Sequence, residues 1–191
     1  CCRVPSTTHL YTLSRHAGRP LSVSLVTRKL PDAGGARLKS GYEARLNPDD
    51  ALYSKDELIE RVQGAQGILP CHTEKFDSDM IAQLPNDVKI IANFSVGVDH
   101  CDLAAAKDKG IVVTNTPDVL SDATAEIAIL LLLGAARRAG EGETLVRTRT
   151  WKDWSSRFLV GLQVPGHRLG IAGMGRLGQM VARAGNGSRL R

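Results

Sequence analysis

Aromatic residues are scarce in this 191-residue chain, at 4%, which argues against a nucleic-acid surface built on base stacking. Cysteine is sparse too. Cys1 and Cys2 are adjacent, Cys71 and Cys101 are isolated, and no CxxC pair or Cys/His spacing suits zinc. Free thiols of this kind fit a reducing compartment, and the expectation is a cytoplasmic protein with no metal site. Long hydrophobic runs are missing. The longest extends from Ile127 to Ala136, too short for a bilayer, which takes about 20 residues. Residues 1–20 have no continuous apolar core, so a secretory signal is not expected in them. They are acid-free and contain Arg, Ser and Thr, so a transit peptide stands as the lesser alternative. The chain opens on Cys rather than Met, so a natural start upstream is expected.

Acid is absent from both ends. Residues 1–31 carry Arg3, Arg15, Arg19, Arg28 and Lys29 with no Asp or Glu, and residues 183–191 carry Arg183, Arg189 and Arg191. The net charge of +5 comes from 25 basic and 20 acidic residues, and those eight basic residues more than account for it. The body of the chain is slightly acidic, so no basic face for DNA or RNA is expected. The apolar share of 42% and charged share of 24% are ordinary for a globular chain.

What is present is alternation. Strands are expected at Val23–Thr27, Tyr42–Leu46, Gly67–Leu69, Val88–Phe94 and Ile111–Thr114. Between them lie helical stretches: Ala33–Lys39, broken by Gly34 and Gly35; a helix opened by Ser54 and Glu57 as a capping box; Ser78–Leu84; and Leu103–Lys109. Val88–Phe94 is nearly unbroken in apolar residues, as a strand buried on both faces should be. A longer helix is expected over 121–138, capped by Ser121 or Asp122. Residues 139–167 read as mixed, holding both Trp151 and Trp154, either as an interface arm or as core packing. Alternation at this spacing predicts an α/β fold with a parallel, doubly wound sheet. Ligands bind at the carboxyl ends of strands in such sheets. That rule points to the turns after Leu69, Phe94 and Ala172.

Two stretches carry chemistry. The first is Leu169-Gly170-Ile171-Ala172-Gly173-Met174-Gly175-Arg176-Leu177-Gly178. It follows an expected strand, Arg168–Ala172, and opens a helix through Met180 and Val181, the context a GxGxxG dinucleotide fingerprint requires. Gly173 is suited to the tight turn, Gly175 to close approach of a pyrophosphate, and Gly178 to packing of the helix against the sheet. The second is Asn93-Phe94-Ser95-Val96-Gly97-Val98-Asp99-His100, where a buried strand breaks into a turn whose N–H groups could hold a carboxylate. An ordinary strand-end turn stays open as its other reading.

These stretches, with Val113–Glu126 between them, resemble the D-isomer-specific 2-hydroxyacid dehydrogenase family, in particular its glyoxylate and hydroxypyruvate reductases. The likeness runs over residues 21–184. It implies a flavodoxin-like substrate domain over 21–118 and the start of a Rossmann NAD(P)-binding domain over 119–191, with 1–20 unmatched. It implies that the turn at Leu69 and Pro70 borders the substrate pocket and that Ser95, Val96 and Gly97 receive the substrate carboxylate. It places Thr124 beside the nicotinamide, and Gly173, Met174, Gly175, Arg176, Leu177 and Gly178 at the pyrophosphate. The cofactor would be NAD or NADP, the partner a small 2-keto or 2-hydroxy acid, and the intact relative a homodimer, with residues 140–160 as the place to look for that contact.

The resemblance also implies a catalytic Arg, Glu and His, all following the glycine fingerprint. None of the five histidines here matches that His, so no residue of this chain is expected to be catalytic. His72 and His100 flank the ligand-side turns and are expected to be surface or hydrogen-bonded residues. Gly185-Asn186-Gly187 is expected to break the last helix, and the chain is expected to be truncated and inactive alone. A dinucleotide-binding module without turnover, or a non-functional remnant, are the alternatives.

Overall fold

The computed structural model describes residues 23–187 and 190. The expectations for residues 1–20 lie outside them. The chain divides between Val119 and Leu120 into two compact units.

The first unit alternates strand and helix: β1 (Val23–Val26), α1 (Asp32–Gly41), β2 (Glu43–Arg45), α2 (Lys55–Arg61), β3 (Gly67–Leu69), α3 (Ser78–Gln83), β4 (Ile90–Ala92), α4 (Leu103–Asp108) and β5 (Val112–Thr114). All five strands are parallel, in the order β2-β1-β3-β4-β5. That is the flavodoxin-like order, with its switch point between β1 and β3. Val26 pairs with Leu69 there, so both chains leave the sheet side by side.

The strands are short, three or four residues each. Leu25, Ile68 and Ile91 are buried together with Leu58, Val62, Phe76, Met80, Ile81 and Leu84 from the helical side. Helix starts follow local chemistry. Ser54 and Glu57 form the expected reciprocal capping box on α2. Asp77 caps α3 through the Met80 N–H, and Asp102 caps α4 through Ala104 and Ala105. The Lys109 ammonium donates to the carbonyls of Ile81, Ala82 and Leu84, closing the carboxyl end of α3.

One expectation in this unit is corrected. α1 runs unbroken through Gly34 and Gly35. A helical glycine costs only about 1 kcal/mol, and Gly35 leaves room for Leu46 Cδ1, which would stand 3.7 Å from an added Cβ.

The second unit is helical: α5 (Ser121–Ala136), α6 (Ala139–Arg147) and α7 (Arg176–Gly187). α5 packs on α7 and on α6. Four expectations change here. The cap position of α5 is Leu120, with no side-chain cap, rather than Ser121 or Asp122. The mixed segment contains α6, entered through Arg138 in the left-handed region at φ 54° and held by the Arg138–Glu141 ion pair at 2.5 Å. Residues 168–172 form no strand, because the described residues of this unit offer no second strand to complete a ladder. Finally, α7 continues through Gly185-Asn186-Gly187. Gly185 is buried, and a Cβ there would come within 2.9 Å of Leu169 Cδ2, so close packing favours glycine inside this helix.

Candidate functional site

The carboxyl edge of the sheet gathers four loops of the first unit. Beyond β1, Thr27 donates its N–H to the Leu69 carbonyl at 3.1 Å, and the Arg28 side chain turns across the loops. Arg28 Nε and Nη2 grip the two Asp50 oxygens at 2.8 and 2.9 Å, and Nη1 donates to Thr73 Oγ1 at 3.0 Å. Asp50 also accepts the Lys29 N–H at 2.8 Å. The Arg28 hydrogen bonds, then that of the Lys29 N–H, hold the Asp50 carboxyl well below the usual carboxylate range.

Beyond β3, Pro70 is buried and Leu69 half-buried. Pro70 offers its carbonyl to the Phe94 N–H at 2.8 Å, which ties the β3 and β4 turns together. The Cys71 N–H donates to Glu74 Oε2 at 3.0 Å. The Glu74 side chain is buried, and its Oε1 meets no hydrogen-bond partner among the described residues.

Beyond β4, the turn Ser95-Val96-Gly97 has all three carbonyls occupied. The Thr116 N–H donates to Ser95 O at 2.9 Å, Asn115 Nδ2 to Val96 O at 2.7 Å, and Ser95 Oγ to Gly97 O at 2.7 Å. No acceptor among the described residues meets the N–H groups of Val96 and Gly97. A turn with its carbonyls bound and its N–H groups unmet has donors to offer an anion. Gly97 is exposed and Ser95 and Val96 are half-buried, so a small anion can reach them. The Asp99 carboxylate lies close by, 3.1 Å from where a Gly97 Cβ would stand, so any added side chain there would crowd it.

Asn93, at the end of β4, is a buried hub that sequence reasoning left without a role. Its N–H and Nδ2 both donate to the Thr114 carbonyl, at 2.9 and 3.0 Å. Oδ1 is therefore its acceptor, so His100, at 2.8 Å, presents Nε2 as the donor. Cys101 Sγ adds a weak third contact at 3.7 Å. Burial, then the nearby charge of His72, pushes His100 below the ordinary histidine value. His100 is thus a hydrogen-bonded structural residue, and exposed His72 contacts Cys71 Sγ through Nδ1 at 3.3 Å. The one signal that could have found the hub is a polar Asn inside an apolar strand, since buried amides require partners.

In the second unit the glycine turn opens α7. Gly173 stands at φ 97°, a conformation that L side chains rarely adopt. A Cβ on Gly178 would overlap the Gly173 carbonyl oxygen and lie 3.4 Å from Ile171. Gly178 therefore packs the helix onto its own entering turn, where packing against a sheet was expected. A Cβ on Gly175 would meet nothing within 4 Å, so the space over this glycine is open. Met174, Gly175, Arg176 and Leu177 are exposed around it. The first N–H groups of α7 have no acceptor within the helix, and the helix amino end carries partial positive charge. Turn, open glycine and helix end together fit a pyrophosphate. Thr124 is exposed on α5, its hydroxyl back-bonded to the Leu120 carbonyl at 2.9 Å, and no hydrogen bond joins it to the glycine turn among the described residues.

The sequence pattern of the D-isomer specific 2-hydroxyacid dehydrogenase catalytic domain matches residues 24–184. The chain belongs to that family. Among curated members, it is 43% identical over 163 residues to a glycerate dehydrogenase of Hyphomicrobium methylovorum, covering 85% of this chain and 51% of the relative. It is 37% identical over 171 residues to a glyoxylate reductase of Thermococcus onnurineus, covering 87% and 51%. A solved structure from Polaromonas sp. JS6 66, assigned as an NAD-binding D-isomer specific 2-hydroxyacid dehydrogenase, superposes with a TM-score of 0.83 at 39% identity, covering 90% of this chain and 54% of that one. This member of the family therefore spans about half the length of the curated relatives it matches. Among its described residues no helix is long and apolar enough to cross a membrane.

Proposed function

We propose that this chain carries the carboxylate turn and the dinucleotide-phosphate turn of an NAD(P)-dependent 2-hydroxyacid dehydrogenase acting in the glyoxylate or hydroxypyruvate class. The observation that carries the reading is the Ser95-Val96-Gly97 turn, with every carbonyl engaged and the Val96 and Gly97 N–H groups unmet among the described residues. Such a turn accepts a carboxylate without needing a lysine or arginine at the site. Leu69 and Pro70, tied to it through Phe94, form the neighbouring rim. Residues 21–118 act as the substrate domain and 119–191 open the cofactor domain. The names of the relatives, glycerate dehydrogenase and glyoxylate reductase, support the substrate class, and the NAD-binding assignment of the Polaromonas structure supports the cofactor.

Gly173, Met174, Gly175, Arg176, Leu177 and Gly178 hold the pyrophosphate, and Thr124 lies toward the nicotinamide end. The bound nicotinamide supplies the hydride. This chain's residues bind and orient, and none of them is assigned proton transfer. Residues 140–160, with Val146, Trp151 and Trp154 exposed, are the proposed homodimer contact.

A second reading is a dinucleotide-binding module without turnover, for which the glycine turn with its open space at Gly175 suffices. Titration with NADH and, separately, with oxalate separates the two. NADH binding abolished by Gly175→Val supports the phosphate turn, and oxalate binding at the Ser95–Gly97 amides supports the carboxylate turn. NADH binding without oxalate binding favours the module, and binding of neither overturns both.

A further inference from the structure

The switch point of a doubly wound sheet is where ligands settle, and here it is spanned by a clamp. Arg28 leaves β1 on one side of it, and Thr73 lies in the loop leaving β3 on the other. We propose that Arg28 is a positioning residue for the substrate turn: its guanidinium, gripped by Asp50, holds the Leu69–Glu74 loop and, through Phe94, the Ser95–Gly97 turn in register. The proposal rests on the reading of that turn as the carboxylate site.

Three features argue for more than a surface ion pair. The first is geometry. All three guanidinium nitrogens are engaged, two on Asp50 in a fork and one on Thr73, and lysine cannot reproduce that pattern. The second is backbone strain. Asp50 sits at φ 55°, in the left-handed region that favours glycine, so its carboxylate is presented to Arg28 against a backbone preference. The third is charge. The Glu74 carboxylate is buried and receives the Cys71 N–H, which sets the bend of the loop. Arg28 is drawn further to its charged form by Asp50 first, with a smaller contribution from Glu74. Removing it would release Thr73.

From the loop the restraint passes inward through the Phe94 N–H on the Pro70 carbonyl at 2.8 Å and the weak Cys71 Sγ contact to Phe94 O at 3.6 Å. Phe94 is the residue before Ser95, so a shift of the Pro70 carbonyl re-aims the turn that follows.

The test uses the 191-residue chain and three variants: Asp50→Gly, Arg28→Gln and Arg28→Lys. Glycine at position 50 accepts the positive φ and removes the carboxylate, and Arg28→Gln tests the same link with the backbone at position 50 unchanged. Oxalate is the probe, followed by amide NMR, and amide hydrogen exchange is measured without ligand. The expected result for Asp50→Gly and Arg28→Gln is exchange at Cys71 and Phe94 faster by about tenfold, with Ile91 unchanged, and an oxalate Kd weaker by about fivefold. Arg28→Lys should fall between these and the parent. A uniform rise in exchange at Cys71, Phe94 and Ile91 overturns the positioning role, because it marks simple destabilisation. Parent-like oxalate affinity in the variants overturns it too, and leaves the carboxylate reading intact. A parent chain that ignores oxalate overturns the carboxylate reading and this proposal with it.

Discussion

The two units use apolar residues differently. In the first, leucines and isoleucines recur singly along short strands and helices, and Leu25, Leu58, Ile68, Ile81 and Ile91 are all nearly inaccessible. In the second, α5 is the most apolar helix of the chain, yet Ile127, Leu130 and Leu131 are 53%, 61% and 66% exposed and only Ala125 is buried. Hydrophobicity of a segment is therefore not burial. A side chain becomes core only where another element presents a surface to it, as α2, α3 and α4 do around the sheet. α5 packs on α7 and α6 along part of its circumference, and the groove lined by Ile129, Leu130, Leu133 and Met180 remains open.

The sharpest break of this contrast is a pair of truncations. Phe76→Ala, in the core of the first unit, should lose about 3–5 kcal/mol in urea unfolding, whereas Leu131→Ala should stay within about 0.5 kcal/mol of the parent. Equal losses would mean that α5 is covered in solution. Gly178→Ala comes next. Its Cβ would overlap the Gly173 carbonyl oxygen, so about 1–3 kcal/mol should be lost from the second unit, read by hydrogen exchange along α7. Gly175→Ala, with open space, should leave those amides unmoved. Ser54→Ala removes one half of the capping box and should cost about 1 kcal/mol, seen as fraying of α2 alone by the same measurement.

The smallest effect is one of pH. Burial, helped by His72, lowers the folded His100 pKa below its ordinary 6.5. The unfolded chain then takes up that proton first, so stability falls slightly as pH drops through that value and is flat above it. Histidine NMR titration should place His100 below the unfolded-chain value, and His100→Gln should remove that part of the slope. An unchanged slope would show that other groups carry it.

Much of this was legible in order and spacing. The five strands of the first unit fall within their expected segments, because β-branched runs between turn residues leave few alternatives. Ser54 with Glu57 announced its helix through chemistry that operates within four residues. The readings that failed needed distant information. The expected strand at 168–172 has suitable residues and no ladder partner. Ser121 and Asp122 have cap chemistry, but the helix begins one residue earlier than a cap at Ser121 would require. Asp50 and Thr73 lie 22 and 45 positions from Arg28, and the three carry no local pattern at all.

The amino-acid sequence by itself determined the alternating α/β order and the family pattern over residues 24–184, and it singled out the Ser95–Gly97 turn and the glycines at 173–178 as candidates. The alternation and the turns depend on backbone preferences and neighbours a few residues away. Only the tertiary structure decided which carbonyls of that turn are occupied, that Asn93 ties His100 to Thr114, and that Arg28 reaches both Asp50 and Thr73. Those are meetings of loops from separate strands, and the parallel sheet brings them to one edge by stacking strands that are remote in sequence.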